Sequence, residues 1–138
     1  MYCGKCGSYI SENNNFCSKC GTPASSSFKG INTDDYYIIK TESKNVDYTN
    51  HSEMHALFAN TKDKLILIDL SKCKFIDSVG IGGLVTLVYK TNRTKQEIKF
   101  IINSNSILKS IKALGVDNVL DIYETEKEAR SSWGLTVI

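Results

Sequence analysis

Residues 65–88 constrain the fold more than any other stretch of the chain. Leu65-Ile66-Leu67-Ile68-Asp69-Leu70 is an Ile- and Leu-rich apolar run of the kind a sheet buries. Lys74-Phe75-Ile76 then carries the chain to a glycine-rich turn, Asp77-Ser78-Val79-Gly80-Ile81-Gly82. Beyond it, Ile81, Leu84, Val85 and Val88 recur at helical spacing, which predicts a helix from Ser78 to about Asn92 with one buried face. The helix start stays exposed and carries the Ser78 hydroxyl, where a phosphate could be accepted or repelled.

The same alternation runs through the rest of the chain. Strands are expected at 36–40, 98–102 and 118–122, and helices at 52–60 and 106–114, the latter closed by Gly115 in a left-handed conformation. Thr125 and Glu128 form a capping-box pair for a last helix with Ala129 and Trp133 on one face. Strands alternating with helices predict an α/β layer with a mainly parallel sheet. Asp69, at the end of the buried run, reads as a turn cap, and Cys73 as a small apolar filler.

The first twenty residues follow a different logic. Cys3, Cys6, Cys17 and Cys20 form a C-x2-C, x10, C-x2-C pattern, each pair followed by a glycine, Gly7 or Gly21. This spacing predicts a four-cysteine zinc ribbon holding one structural Zn2+, with no open position for catalysis. Two disulfides are the competing arrangement, which a cytosolic chain would not keep. So short a segment cannot bury a core, and metal binding must supply most of its folding free energy. Its apolar cover is Tyr9, Ile10 and Phe16, while Lys5 and Lys19 lie between the ligands, where they offset thiolate charge.

Thr22-Pro23-Ala24-Ser25-Ser26-Ser27 contains the single proline and a serine run, and no period emerges before Thr33. The expected division is therefore a ribbon over 1–21, a flexible linker over 22–33 and an α/β domain over 34–138. From Asp34 onward acidic and basic residues balance, and four thiolates with one Zn2+ cancel the formal +2 of the whole chain. Neutrality argues against nucleic acid as a partner. No apolar run approaches the about 20 residues of a membrane helix, and the amino terminus lacks a basic-then-apolar leader. A cytoplasmic location is the expectation.

The run Phe75-Ile76-Asp77-Ser78 leading into Gly80-Ile81-Gly82, with the later Leu114-Gly115-Val116 before a strand and a terminal helix, resembles the STAS family. That family includes the bacterial anti-sigma factor antagonists, and the resemblance spans about residues 35–135. It implies a STAS-like α/β sheet and a non-enzymatic regulatory role in transcription. In antagonists of the sporulation and general-stress type the serine after the aspartate is phosphorylated, which corresponds to Ser78 here. The implied partner is an anti-sigma factor that is also a serine kinase, binding around Asp77, Ser78, Val79, Gly80, Ile81 and Gly82. Where the family often has a second hydroxyl, this chain has Val79, and a ribbon in front is not part of the antagonist pattern.

Other readings start from the same residues. Asp77-Ser78 is also an ordinary helix cap, with the glycines serving helix packing. An unphosphorylated scaffold, a small-ligand sensor or a ribbon-based nucleic-acid adaptor are the functional alternatives. His51, Glu53 and His55 lack the spacing of a zinc protease and read as a solvated helix face. Ser78 has no histidine at a motif-like distance to act as its base, which argues against a hydrolase. Lys90, Arg93, Lys95 and Lys99 read as complements to a helix C-terminus.

Overall fold

The structure is a computed structural model and describes residues 2–3, 6–10, 17–20 and 27–135. Lys5, Phe16, Gly21 and residues 22–26 of the expected linker lie outside the described residues.

A five-stranded sheet forms the centre. Its strands are β1 (Phe28–Asn32), β2 (Tyr37–Thr41), β4 (Leu65–Asp69), β6 (Glu97–Ile101) and β7 (Ile122–Tyr123), lying side by side in the order β1-β2-β4-β6-β7. β1 runs antiparallel to β2 and every other neighbour is parallel, so the expected mainly parallel sheet is present. A separate parallel pair joins β3 (Asn45–Val46) to β5 (Phe75–Ile76). The helices are α1 (His51–Ala59), α2 (Ser78–Thr94), α3 (Asn105–Ala113) and α4 (Glu126–Ser132).

Strand side chains alternate between two cores, as the two-residue period requires. Tyr37, Ile39, Ile66, Ile68, Phe100 and Ile102 face α1, α2 and α3. Tyr36, Ile38, Leu67 and Ile101 face α4, which contributes Ala129, with Trp133 packed alongside. Burial on both faces explains why the β4 run carries no alternation.

Three expectations need correction. The linker expected over 22–33 overlaps β1, because Phe28–Asn32 pairs along its whole length with β2. β1 escapes a periodicity reading because it is an edge strand with Lys29 and Asn32 exposed, and Gly30 replaces a side chain where the Tyr37 hydroxyl lies against it. The last strand is Ile122–Tyr123 rather than 118–122, since residues 117–119 close a turn through Val119 N–H to Val116 C=O at 3.0 Å. Leu120 is instead buried in the larger core. His51, Glu53 and His55 are not a solvated face. Ring nitrogens of His51 and His55 approach the position of a Cβ on Gly83, at 3.5 and 3.2 Å, and Glu53 accepts from Ser27 N–H at 3.0 Å.

Candidate functional site

α2 begins because Asp77 is built to start it. The Asp77 backbone is extended, and its Oδ1 accepts from Gly80 N–H at 2.7 Å, satisfying a helix donor that would otherwise be orphaned. Its Oδ2 accepts from Tyr48 N–H at 3.1 Å and so ties the β3–α1 loop to the helix start. Ser78 is the first helical residue and is exposed, and the first turn of α2 holds no acidic residue. Among the described residues no side chain bonds to its hydroxyl.

The six residues singled out at this turn divide by role. Gly80 is buried, and a Cβ there would lie 2.6 Å from the Val46 carbonyl oxygen, so this glycine brings α2 against β3. Ile81 packs into the core. Gly82 is exposed, and a Cβ there would meet nothing within 4 Å. Val79 is 43% exposed. The turn thus combines two inward residues, Gly80 and Ile81, with an outward set of Ser78, Val79 and Gly82.

Two aromatic residues that sequence reasoning missed extend this outward set. Tyr48 is 72% exposed and Phe75 59% exposed, the first held by its bond to Asp77 and the second two residues upstream on β5. The loop that presents Tyr48 is stiffened by its own side chains. Asp47 accepts from Asn45 Nδ2 at 2.6 Å and from Thr49 N–H at 2.9 Å. The buried Asn50 accepts from Asp47 N–H at 2.9 Å and donates to the Asn45 carbonyl at 2.8 Å. Hydrogen bonds from Thr49, then from Asn45 and Asn50, hold the Asp47 carboxyl below the usual range. The Asn45, Asp47 and Asn50 spacing was the available signal, since such residues close local turns.

Along α2 the seam with α1 is held by His55. Its Nδ1 lies 3.2 Å from Lys90 Nζ, and burial, followed by Lys90 and His51, lowers its pKa to about 4. Lys99, expected at the helix end, lies on β6 instead, buried, with Nζ 2.6 Å from Asp121 and 3.0 Å from the Tyr123 hydroxyl. Asp69 caps a turn through Ser71 N–H at 2.9 Å, and Cys73 is a buried core residue whose Sγ lies 3.1 Å from the Phe75 carbonyl oxygen.

The four cysteine sulfurs of the ribbon come together, all within 4.8 Å of one another. Cys3 and Cys20 are 3.4 Å apart and Cys6 and Cys17 are 3.5 Å apart. These separations are too long for disulfides and near the about 3.8 Å edge of a tetrahedron with metal–sulfur bonds of about 2.3 Å. Cys6 N–H points at Cys3 Sγ at 3.4 Å, and Gly7 adopts φ 76°, which folds the knuckle back on its own thiolate. Ile10 is buried with Cys3 and Cys17. The donor set fits a metal ion.

The family model of the STAS domain matches residues 33–129. The chain belongs to the STAS family. A zinc-ribbon domain model matches residues 2–24, across the four cysteines. Among solved structures, this STAS chain is similar to an anti-sigma factor antagonist from Mycobacterium paratuberculosis, with 19% identity and a TM-score of 0.66 over 76% of this chain and 91% of that one. It is also similar to the anti-sigma factor antagonist SpoIIAA in its unphosphorylated form, with 16% identity and a TM-score of 0.63 over 79% and 98% of the two chains. The phosphorylated form of SpoIIAA from Bacillus aligns at 16% identity with a TM-score of 0.58, over 77% and 98%. At these identities the likeness is one of fold. Among the described residues no helix is long and apolar enough to cross a membrane.

Proposed function

We propose that this STAS protein is a non-enzymatic regulator that binds an anti-sigma factor of the serine-kinase type through the start of α2, and that phosphorylation of Ser78 releases that partner. The reading rests on one observation. Ser78 is exposed at the first position of a helix whose cap is already supplied by Asp77, and it is bordered by Tyr48, Phe75 and Val79. An unmodified hydroxyl is small and neutral, so a partner can close over it and cover the apolar side chains.

A phosphate would add about −1.5 to −2 charges. The helix N-terminus tolerates that charge through its dipole and unpaired N–H groups, so the fold survives. The partner surface meets a hydrated dianion and is repelled if apolar or acidic. Val79 offers no second hydroxyl, which leaves Ser78 as the single acceptor on this turn. His55 is engaged with Lys90 in the α1–α2 seam, in keeping with binding rather than hydrolysis.

In the same reading Cys3, Cys6, Cys17 and Cys20 hold one Zn2+. The ion replaces a hydrophobic core for the ribbon and has no open coordination position. A cytoplasmic location fits both the reduced thiols and the kinase. Incubation with the kinase and ATP should add one phosphate to the wild type, read by intact mass, and none to Ser78→Ala. Phosphate on another residue of both proteins contradicts the switch.

A further inference from the structure

The far end of α2 carries a second surface, independent of the Ser78 reading. α2 ends in Lys95, the one non-glycine among the described residues with positive φ, at 60°. Lys95 lines a cleft of about 480 Å³ together with Thr61, Lys62, Lys64, Thr94 and Gln96. All three lysines are exposed, and the other groups in the cleft are hydroxyls and an amide. The nearest carboxylates in sequence are Asp63, which is half buried, and Glu97 in the neighbouring cleft. That neighbouring cleft, of about 230 Å³, shares Gln96 but is lined by Glu97 and Asp121 and by the apolar Val88, Ile98 and Val119, so the lysine cleft stands apart from it in charge.

The ribbon docks on this same end. Asn60, which caps α1, donates through Nδ2 to the Gly7 carbonyl at 3.2 Å. Asn60 directly precedes Thr61 and Lys62 of the cleft, so the Gly7 contact brings the ribbon to the cleft's rim. Tyr2 and Tyr9 pair across an isolated bridge, edge to face at 5.7 Å, and remain 46% and 64% exposed. The neutral total charge of the chain hides this segregation of lysines and aromatic rings.

Exposed tyrosines on a ribbon docked at the rim of a cleft that carries three exposed lysines match a ligand with flat rings on a phosphate chain. We propose that this end of the molecule binds single-stranded nucleic acid, with Lys62, Lys64 and Lys95 on the phosphates and Tyr2 and Tyr9 against the bases. A duplex keeps its bases stacked and would use only the lysines, and an acidic polypeptide would use the lysines without the rings.

The test is fluorescence anisotropy with the full zinc-loaded chain and labelled oligothymidylate or single-stranded RNA of about 15 nucleotides. Three phosphate contacts predict an affinity loss of about 20-fold between roughly 50 and 200 mM salt. Lys62→Gln, Lys64→Gln and Lys95→Gln combined should weaken low-salt binding at least about tenfold and flatten that salt dependence. Tyr9→Ala should weaken binding about fivefold or more with the salt dependence unchanged, while Tyr9→Phe binds as the wild type. Zinc content is measured for each variant, and Tyr9→Leu replaces Tyr9→Ala if alanine costs the metal. No binding at low salt overturns the proposal. So does equal binding of duplex or polyglutamate, or a Tyr9→Ala or Tyr9→Leu variant that retains zinc and binds like the wild type. Ser78→Asp should leave this binding unchanged, so its failure and that of the Ser78 reading are separable.

Discussion

At its N-terminus α2 presents a neutral hydroxyl amid exposed apolar side chains, whereas at its C-terminus it presents a left-handed lysine beside two others, with the four-cysteine ribbon docked nearby. The two ends are about 25 Å apart for a helix of 17 residues. The first is shaped by hydrogen bonds internal to the domain: Asp77 to Gly80 and Tyr48, and Asp47 with Asn50 in the adjoining loop. The second depends on a segment with little core of its own, joined to the domain by the Asn60 bond. A rigid end suits a switch that changes charge without changing shape. If the proposed Zn2+ supports the second end, that end can be lost without unfolding the sheet.

The largest effect that separates them is metal removal. Structural zinc in small domains supplies on the order of 10 kcal/mol of folding free energy. Chelation should therefore disorder the ribbon, seen as loss of amide dispersion for residues 2–20, while the thermal transition of the α/β domain stays within about 2 °C. A single collapse of both would show that the two ends are one unit.

Gly80→Ala comes next and strikes the other end. The new Cβ would press on the Val46 carbonyl and Ile76, so a loss of about 1–3 kcal/mol is expected in denaturant unfolding, with zinc content unchanged. Wild-type stability for this variant would remove Gly80 as the reason α2 lies so close to β3.

The seam between the ends responds to acid. His55 has a folded pKa of about 4, below its ordinary value of about 6.5, so the unfolded chain binds the proton more readily. Its stabilising contribution is whole above about pH 6.5 and is lost as pH falls toward 4. Melting curves between these values should decline for the wild type and flatten in His55→Gln. The same slope in both would assign the acid sensitivity elsewhere.

A smaller stability effect, and of opposite sign, is expected from Gly82→Ala. Nothing crowds a Cβ there, and alanine is favoured over glycine in a helix by about 1 kcal/mol. The variant should be slightly more stable, yet bind the Ser78 partner less well. Improved stability with unchanged binding would remove Gly82 from the contact surface.

What could be read from the chain follows from how local each feature is. The buried β4 run, the amphipathic face of α2, the Asp77 cap and the left-handed Gly115 each depend on residues within about one or two turns of each other, and the ribbon, though Cys3 and Cys20 lie 17 apart, is legible from its two C-x2-C pairs. Thr125 accepts from Glu128 N–H at 3.2 Å as a capping pair should, although Glu128 reaches back to Glu124 N–H instead of closing on the cap itself. Features made across the fold were not legible. β1 is a strand because β2 lies beside it, and Tyr48 is displayed because a remote carboxylate, Asp77, holds its N–H. The docking of Gly7 on Asn60 joins residues 53 apart, and no periodicity encodes that contact.

The central claim is that charge at Ser78 governs partner binding at an otherwise unchanged surface. Its most direct test is the affinity of wild type, Ser78→Ala and Ser78→Asp for the cognate anti-sigma factor kinase, with unfolding measured on the same samples. Ser78→Asp should bind at least about tenfold more weakly, a difference of about 1.4 kcal/mol, while its stability stays within about 0.5 kcal/mol of the wild type. Ser78→Ala should bind as tightly as the wild type and resist release by kinase and ATP. Equal binding by all three proteins, with no release when ATP is supplied, would contradict the account.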